Sequence, residues 1–272
     1  MPPKGSNMHL LTCIKQTPKS DKVKIDFATG CLIRTGIENA LNPFDEYALE
    51  IAVELKEQAG GRVSVMTMGP SSAEEVLRDA VARGADKAYH LCDGAFAGSD
   101  TWATSYALAK GAEKIAQEQK IDLIVCGKQS SDSDTGHIGP QISAWLGWPE
   151  VSCVKKIVAI TQTSITVERL SEAGTHVIEM PFPCVISVVK EISNPRVRSI
   201  QGRLAAKRAE IIKWTAEDIG ADKNKLGAAH SPTKVIASFA PVRQVNAVAV
   251  EGEDAKAKAA KLVQLLKEKQ YI

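Results

Sequence analysis

The sequence has no apolar run approaching the ~20 residues needed to cross a bilayer as a helix, which excludes insertion by that route. No secretory signal is visible, because Met1 to Asn7 is polar and the apolar stretch behind it is short. Met1-Pro2-Pro3-Lys4-Gly5-Ser6-Asn7 is expected to be a leader or tag ahead of a natural start at Met8. Neither sign of charge dominates: 34 Lys and Arg face 32 Asp and Glu, a net charge of +2, so no global attraction for nucleic acid is expected. The six cysteines (Cys13, Cys31, Cys92, Cys126, Cys153, Cys184) form no C-x-x-C pair, and none has a His at zinc-ligand spacing. Most lie in apolar runs such as Leu123-Ile124-Val125-Cys126, and we read them as buried reduced thiols in a cytoplasmic protein.

Catalytic signatures are missing as well. No nucleophile lies near a base in sequence, and His137, His176 and His230 are scattered. Neither the dinucleotide fingerprint G-x-G-x-x-G nor the P-loop G-x-x-x-x-G-K-[ST] occurs. No carboxylates or histidines cluster as metal ligands, so no metal is expected. Any redox work must therefore fall to a bound cofactor. There is no internal repeat and no low-complexity segment.

What is present is an ordinary globular composition, 44% hydrophobic and 24% charged over 272 residues. The first ~190 residues alternate strand-like and helix-like segments. Met8 to Lys15 reads as a buried strand, and Lys24 to Ile33 as a hairpin around Ala28-Thr29-Gly30. Asn42-Pro43 opens a helix that Gly60-Gly61 stops. Strands follow at Arg62 to Met68, Ala88 to Cys92 and Asp122 to Cys126; helices at Ala73 to Arg83, from Asp100 or Thr101 to Glu118, and at Pro140 to Leu146. This alternation predicts an α/β fold: a mostly parallel, doubly wound sheet with helices on both faces. Ser164 to Leu170 and Thr175 to Met180 read as an antiparallel excursion, and Cys184 to Val189 as a further strand. After Asn194-Pro195 the chain is basic and irregular, with a short strand at Ile211 to Trp214. Asp254 to Lys269 is a Lys- and Ala-rich helix whose Ala259, Leu262, Leu265 and Leu266 are expected to dock on a core. Three regions result: residues 1–7, an α/β nucleotide-binding domain over 8–193, and an extended C-terminal arm over 194–272.

The loop Gly127-Lys128-Gln129-Ser130-Ser131-Asp132-Ser133-Asp134-Thr135-Gly136-His137-Ile138-Gly139-Pro140 joins a buried strand to a helix. Open parallel sheets bind ligands beyond the carboxyl ends of their strands. Small residues there admit a phosphate to backbone N–H groups, and a helix start adds positive potential. Lys128 can add charge, and Ser130, Ser131 and Thr135 can donate hydrogen bonds. Asp132 and Asp134 argue against a bare phosphate unless they turn away, and the competing reading is a solvated loop whose Asp residues cap the next helix. A second loop, Phe96-Ala97-Gly98-Ser99-Asp100-Thr101-Trp102-Ala103-Thr104-Ser105, has the same small, hydroxyl-rich character, with Asp100 or Ser99 suited to an N-cap.

Several stretches, in order, resemble the beta subunit of electron-transfer flavoproteins: Cys13-Ile14-Lys15-Gln16, Asn42-Pro43-Phe44-Asp45, Met66-Thr67-Met68-Gly69-Pro70, Cys126-Gly127-Lys128-Gln129 through Gly139-Pro140-Gln141, Val167-Glu168-Arg169-Leu170 through Pro181-Phe182-Pro183, and Asn194-Pro195-Arg196 through Ala206-Lys207-Arg208. Trp214 and Ser231-Pro232-Thr233 complete a match over roughly Met8 to Pro241. Asp132 to Pro140 is similar to the electron-bifurcating, two-FAD pattern D-G-D-T-x-Q-V-G-P, departing at Ser133 and His137.

The resemblance implies FAD, with its adenosine end at Cys13, Asn42, Pro43, Phe44, Asp45 and Met68. It puts the pyrophosphate along Ser130, Ser131, Asp132, Ser133, Asp134, Thr135, Gly136, His137, Ile138, Gly139, Pro140 and Gln141, with Gly127 at the start of the loop. Ala97, Gly98, Ser99, Asp100, Thr101 and Thr104 are then expected near the flavin ring or a docked NADH. Pro195 to Lys207 is implied to dock a dehydrogenase through Ile200 and Leu204. The implied partners are an alpha subunit forming a heterodimer, a flavin dehydrogenase of the acyl-CoA dehydrogenase or another type, and ferredoxin. Two alternatives stay open: a non-bifurcating carrier subunit that holds AMP, and a freestanding adenine-nucleotide-binding protein.

Overall fold

A computed structural model describes residues 7–19, 24–25, 32–33, 38–236 and 247–272. The chain divides into two units, Met1–Ile236 and Ala237–Ile272. In the first, β1 (Met8–Cys13), β2 (Gln16–Pro18), β3 (Lys24–Ile25), β4 (Leu32–Ile33) and β5 (Asn39–Leu41) precede α1 (Pro43–Ala59) and β6 (Gly61–Met68). Then come α2 (Glu74–Ala82), β7 (Lys87–Leu91), α3 (Thr101–Glu118), β8 (Leu123–Gly127) and α4 (Ile138–Leu146). β9 (Glu150–Ile160), β10 (Ser164–Ser171), β11 (Gly174–Pro181), β12 (Cys184–Val188), α5 (Ile200–Arg208), β13 (Ile211–Trp214) and α6 (Gly227–His230) complete it. The second unit holds α7 (Ala255–Glu268).

Near-continuous apolar runs make strands that bury both faces. β1 and β12 are buried at every residue. Nine strands form one sheet in the order β11-β10-β9-β12-β8-β1-β6-β7-β13. From β9 to β13 all neighbours are parallel, while β9, β10 and β11 pair antiparallel. Strand alternation divides the core. Leu10, Val63, Val65, Leu123 and Val125 face α1 and α2, with Ala48, Leu49, Val76 and Leu77. Leu11, Cys13, Met66, Ile124 and Cys126 face α3 and α4, with Ala107, Leu108, Ile115 and Ile142. The expected doubly wound α/β sheet with an antiparallel excursion is the fold observed.

Strand order reverses beside β1. The chain moves from β1 to β6 and β7, then returns to place β8 on the other side of β1. Cys13 sits opposite Cys126 there, so β1 and β8 end level with each other at a topological switch point.

The structure departs from the sequence reading in four places. β9 is a long strand that its mixed burial hides from a period-2 search. α4 begins two residues early, at Ile138, with Pro140 inside the first turn, where a missing N–H costs nothing. The stretch beyond Pro195, expected to be irregular, holds α5: Ser199 accepts the Gly202 N–H at 2.9 Å as N-cap, and Leu, Ala, Lys and Arg are good helix formers. α7 forms as expected, capped by Asp254, but none of its residues is buried, because one helix has no second layer of its own to cover its apolar stripe. The expected Lys24–Ile33 hairpin is present as β3 paired with β4; its turn at Ala28-Thr29-Gly30 lies outside the described residues.

α5 packs on α2, held there by charge. Glu50, buried on α1, takes a forked pair of bonds from Arg196 at 2.9 and 3.0 Å, and Glu57 takes another at 2.6 Å. Arg83 donates to the Arg196 carbonyl at 3.1 Å and to Glu46 at 2.8 Å, and Arg78 donates to the Ala206 carbonyl at 2.7 Å. Arg196→Ala leaves Glu50 buried and unpaired, so urea unfolding should lose about 3 kcal/mol, with Arg196→Lys losing roughly half as much because it keeps charge without the fork. An unchanged midpoint for Arg196→Ala would reduce this network to surface decoration.

Candidate functional site

The site is built where β1 and β8 end. Asn42 and Asp45, at the start of α1, bridge to both strands. Asp45 is buried and accepts the Lys15 N–H at 2.8 Å. Burial pushes its carboxyl up to about 7, against the hydrogen bonds from the Asn42 side chain and the Lys15 backbone. Gly127 is required by close approach: a Cβ there would meet Asp45 Oδ1 and lie 2.7 Å from the Phe44 carbonyl carbon.

Asn42 does not cap its helix with its side chain. Instead its amide donates to the Gln129 carbonyl at 2.8 Å and accepts the Ser131 N–H at 3.1 Å. The first turn of α1 is thereby stitched to the loop after β8. Inside that loop Ser131 Oγ donates to Thr17 Oγ1 at 3.2 Å, and the Ser130 and Ser133 hydroxyls pair at 2.6 Å. Asp134 takes the left-handed conformation, φ 56°, which Asp tolerates better than most residues.

Both acidic residues are answered from within. The Lys15 ammonium lies 2.6 Å from Asp132 Oδ1 and 3.4 Å from Ser130 Oγ. Burial works against the Asp132 charge, but Lys15 and Ser130 outweigh it and hold the carboxyl below its ordinary value. Asp134 accepts the Gln129 side-chain amide. Neither Asp caps α4; His137 stands at the N-cap position and its side chain makes no capping bond. No side chain therefore caps the first amides of α4, and a helix start of this kind favours an anion.

The second loop meets the first through Thr101 Oγ1 and His137 Nδ1, 3.4 Å apart. Asp100 is the N-cap of α3, accepting the Ala103 N–H at 3.0 Å. Below it Trp102 and Tyr106 each stack against Trp145 of α4 at 5.0 Å between centroids, while Trp145 Nε1 donates to Ser105 at 3.2 Å.

Of the expected residues, Asn42, Asp45, Gly127, Ser130, Ser131 and Asp132 converge in one bonded cluster. Phe44 and Met68 are half-buried, and Pro43 is exposed at the first position of α1. The Cys13 thiol is buried in the α3/α4-side core with Cys126. Ser133, Asp134 and Thr135 are exposed on the loop, and Gly136 to Gln141 lead into α4. Ser99 and Asp100 spend their polar groups on neighbouring backbone. Ile200 and Leu204 are exposed on α5, in the α1/α2 layer. Sequence reasoning gave the loop's positive charge to Lys128, which is exposed, and left Lys15 off the site. The available signal was a lysine directly following a fully buried strand. Among the described residues no three His, Cys, Asp or Glu side chains gather as a metal site, and no helix is long and apolar enough to cross a membrane.

A parallel sheet with a strand-to-helix loop and a helix start without a side-chain cap at its switch point defines a doubly wound α/β protein. Comparison with known proteins narrows the class. The electron transfer flavoprotein domain matches residues 29–219. The chain is 43% identical over 266 residues to the caffeyl-CoA reductase-Etf complex subunit CarD of Acetobacterium woodii, covering 97% of this chain and 100% of that one. It is 45% identical over 235 residues to the electron transfer flavoprotein subunit beta of Thermoanaerobacterium thermosaccharolyticum, covering 86% and 88%. It is also 42% identical over 257 residues to protein FixA of Bradyrhizobium diazoefficiens, covering 93% and 89%. The chain belongs to the electron-transfer flavoprotein family, on the beta-subunit side, and its role is in electron transfer.

Gly127→Ala forces a methyl group into Asp45 and the α1 start. We expect a stability loss of about 3 kcal/mol by urea unfolding, together with loss of retained nucleotide on purification; an intact nucleotide complement would refute the crowding. Asp45 supplies a pH test. Its folded value near 7 lies above the ordinary 3.8, so between those values the folded chain holds a proton that the unfolded chain releases. Stability from this group falls as pH rises through that window. Asp45→Asn removes the titration while keeping an acceptor. Its stability relative to the unaltered chain should improve by about 2 kcal/mol from pH 5 to pH 8. Parallel stability curves for the two chains would contradict that burial effect.

Proposed function

We propose that this chain is the beta subunit of an electron-bifurcating electron-transfer flavoprotein and holds FAD at the switch point. The observation that carries the proposal is the loop after β8. Lys15 pairs with Asp132, the Gln129 amide hydrogen-bonds Asp134, and the start of α4 has no side-chain cap. Those features suit a pyrophosphate along Ser130 to Gln141. The adenosine end then lies by Asn42, Phe44, Asp45 and Met68, near the ends of β1 and β6. When bound, FAD supplies the redox chemistry: hydride acceptance from NADH, with electrons divided between ferredoxin and, through an alpha-subunit FAD, a partner dehydrogenase. The chain's own residues bind and orient. Thr101 and Thr104 on the first turn of α3 offer hydroxyls towards the ring or nicotinamide, and His137 is within reach of Thr101.

The likeness to a subunit of a caffeyl-CoA reductase-Etf complex supports a partner dehydrogenase that acts on a CoA thioester. Residues 194–272 are proposed to serve partners, α5 docking the dehydrogenase through Ile200 and Leu204, and the remaining arm wrapping the alpha subunit. Buried free thiols at Cys13, Cys126 and Cys184 support a reducing, cytoplasmic setting.

Co-purification with the alpha subunit and cofactor extraction tests the proposal. We expect two FAD per heterodimer. One FAD plus AMP would replace bifurcation with the non-bifurcating carrier, and ATP without flavin would leave only a freestanding nucleotide-binding protein. With two FAD present, Thr101→Ala with Thr104→Ala should slow flavin reduction by NADH about tenfold; an unaltered rate would remove the α3 loop from the chemistry.

A further inference from the structure

The loop Ala97–Thr101 is fastened from outside as well as by its own bonds to Gly94 and Phe96. Gly98, at φ 71°, is so close to Ala228 that an added Cβ would lie 2.8 Å from the Ala228 Cβ. Gly227, also at φ 71°, returns the constraint, since a Cβ there would lie 2.8 Å from the Ala95 carbonyl oxygen. Two glycines in left-handed backbone let two segments, far apart in sequence, touch main chain to main chain. Hydrogen bonds fasten the contact. The Ala228 N–H donates to the Ala97 carbonyl at 3.1 Å, and the Gly227 N–H to Ser99 Oγ at 3.1 Å. Asp100 is held twice: its N–H donates to Ser231 Oγ at 2.9 Å, and its second carboxylate oxygen accepts the Thr233 N–H at 2.9 Å. Ser231 is buried, and its own proton goes to the Gly227 carbonyl at 2.9 Å.

We propose that Gly227–Thr233 is a strap that positions the α3 loop for the flavin reaction, with Ser231 and Asp100 as its positioning residues. Asp100 has two separable duties. One oxygen caps α3, and the other takes the strap. The cap alone would fix the helix but leave the loop before it free to swing. With the strap in place, the backbone from Gly98 to Thr101 has one position, and so has the Thr101 hydroxyl at the head of α3. Orientation at that scale decides rates, because misplacement by about 1 Å can cost two orders of magnitude.

The functional half of this proposal rests on the reading that the α3 loop faces the flavin; the mechanical half does not. Two variants of the full heterodimer separate them. Ser231→Ala removes the acceptor for the Asp100 N–H and keeps the cap. Asp100→Asn keeps a good N-cap and gives up the Thr233 bond. Both should speed amide hydrogen exchange across residues 98–101 about tenfold while leaving β1 and β8 unchanged. Both should also lower the limiting rate of flavin reduction by NADH about tenfold at a retained content of two FAD. A purely structural role would instead lower flavin content or melting temperature and spare that rate. Unchanged exchange at 98–101 in both variants overturns the strap. Faster exchange with an unchanged reduction rate overturns its role in the reaction. One FAD plus AMP in the unaltered heterodimer defeats the flavin reading and this role with it, while exchange still decides the strap.

Discussion

β1 and β8 lie side by side, parallel, and end level at Cys13 and Cys126. From there the chain departs to opposite faces, to α1 on one and α4 on the other. Two diverging connections leave a crevice that neither can close with its own backbone. Side chains must span it, and the start of α1 supplies them. Asn42 reaches across to Gln129 and Ser131, and Asp45 reaches back to Lys15. The conformation of the loop after β8, the close approach at Gly127 and the burial of Asp45 all follow from bridging that gap.

Two acidic residues beside a helix start are unfavourable to an anion, and the packing cancels one of them. An unpaired carboxylate there would repel an anion. Lys15 sits on the neighbouring strand end, so its ammonium reaches Asp132 across the crevice and the pair presents no net charge. Gln129 donates a hydrogen bond to Asp134 and leaves that exposed carboxylate its charge, so only Asp132 is cancelled. The attraction left for an anion is then backbone: amides at the start of α4, with their dipoles aligned.

Much of this was legible in the sequence, for identifiable reasons. Apolar runs marked β1, β6 and β8, and helical periodicity with a start signal at Asn42-Pro43 or Asp100 marked α1 and α3, to within a residue or two. Asp100 was legible as a cap because capping is local. The misses were non-local. Lys15 belongs to the site because β1 and β8 are neighbours, a fact of topology rather than of local pattern. Asn42 has the residue type of an N-cap and the position of one, yet its side chain finds better partners on another loop. β9 is half covered along its length, so no strict alternation betrays it. Ser231 and Thr233 carried a family likeness but no physical signal, since their partner lies 131 residues away in the case of Ser231 and Asp100.

α1 joins the crevice beside β1 and β8 to the segment that leads into α5. Its first turn holds Asn42 and Asp45 against the crevice. Glu46 in the same turn, and Glu50 and Glu57 in later ones, hold Arg83 and Arg196 and through them the segment leading to α5. A helix of 17 residues is roughly 25 Å long and stiff on that scale. Its buried face is locked between β1, β6 and β8, so neither end can shift without disturbing the core. Communication between sites would need an element with two stable arrangements. α1 has the opposite character, a single arrangement pinned at both ends. The crevice beside β1 and β8 and the segment leading to α5 are therefore tied to different turns of one stiff helix that is itself seated in the core.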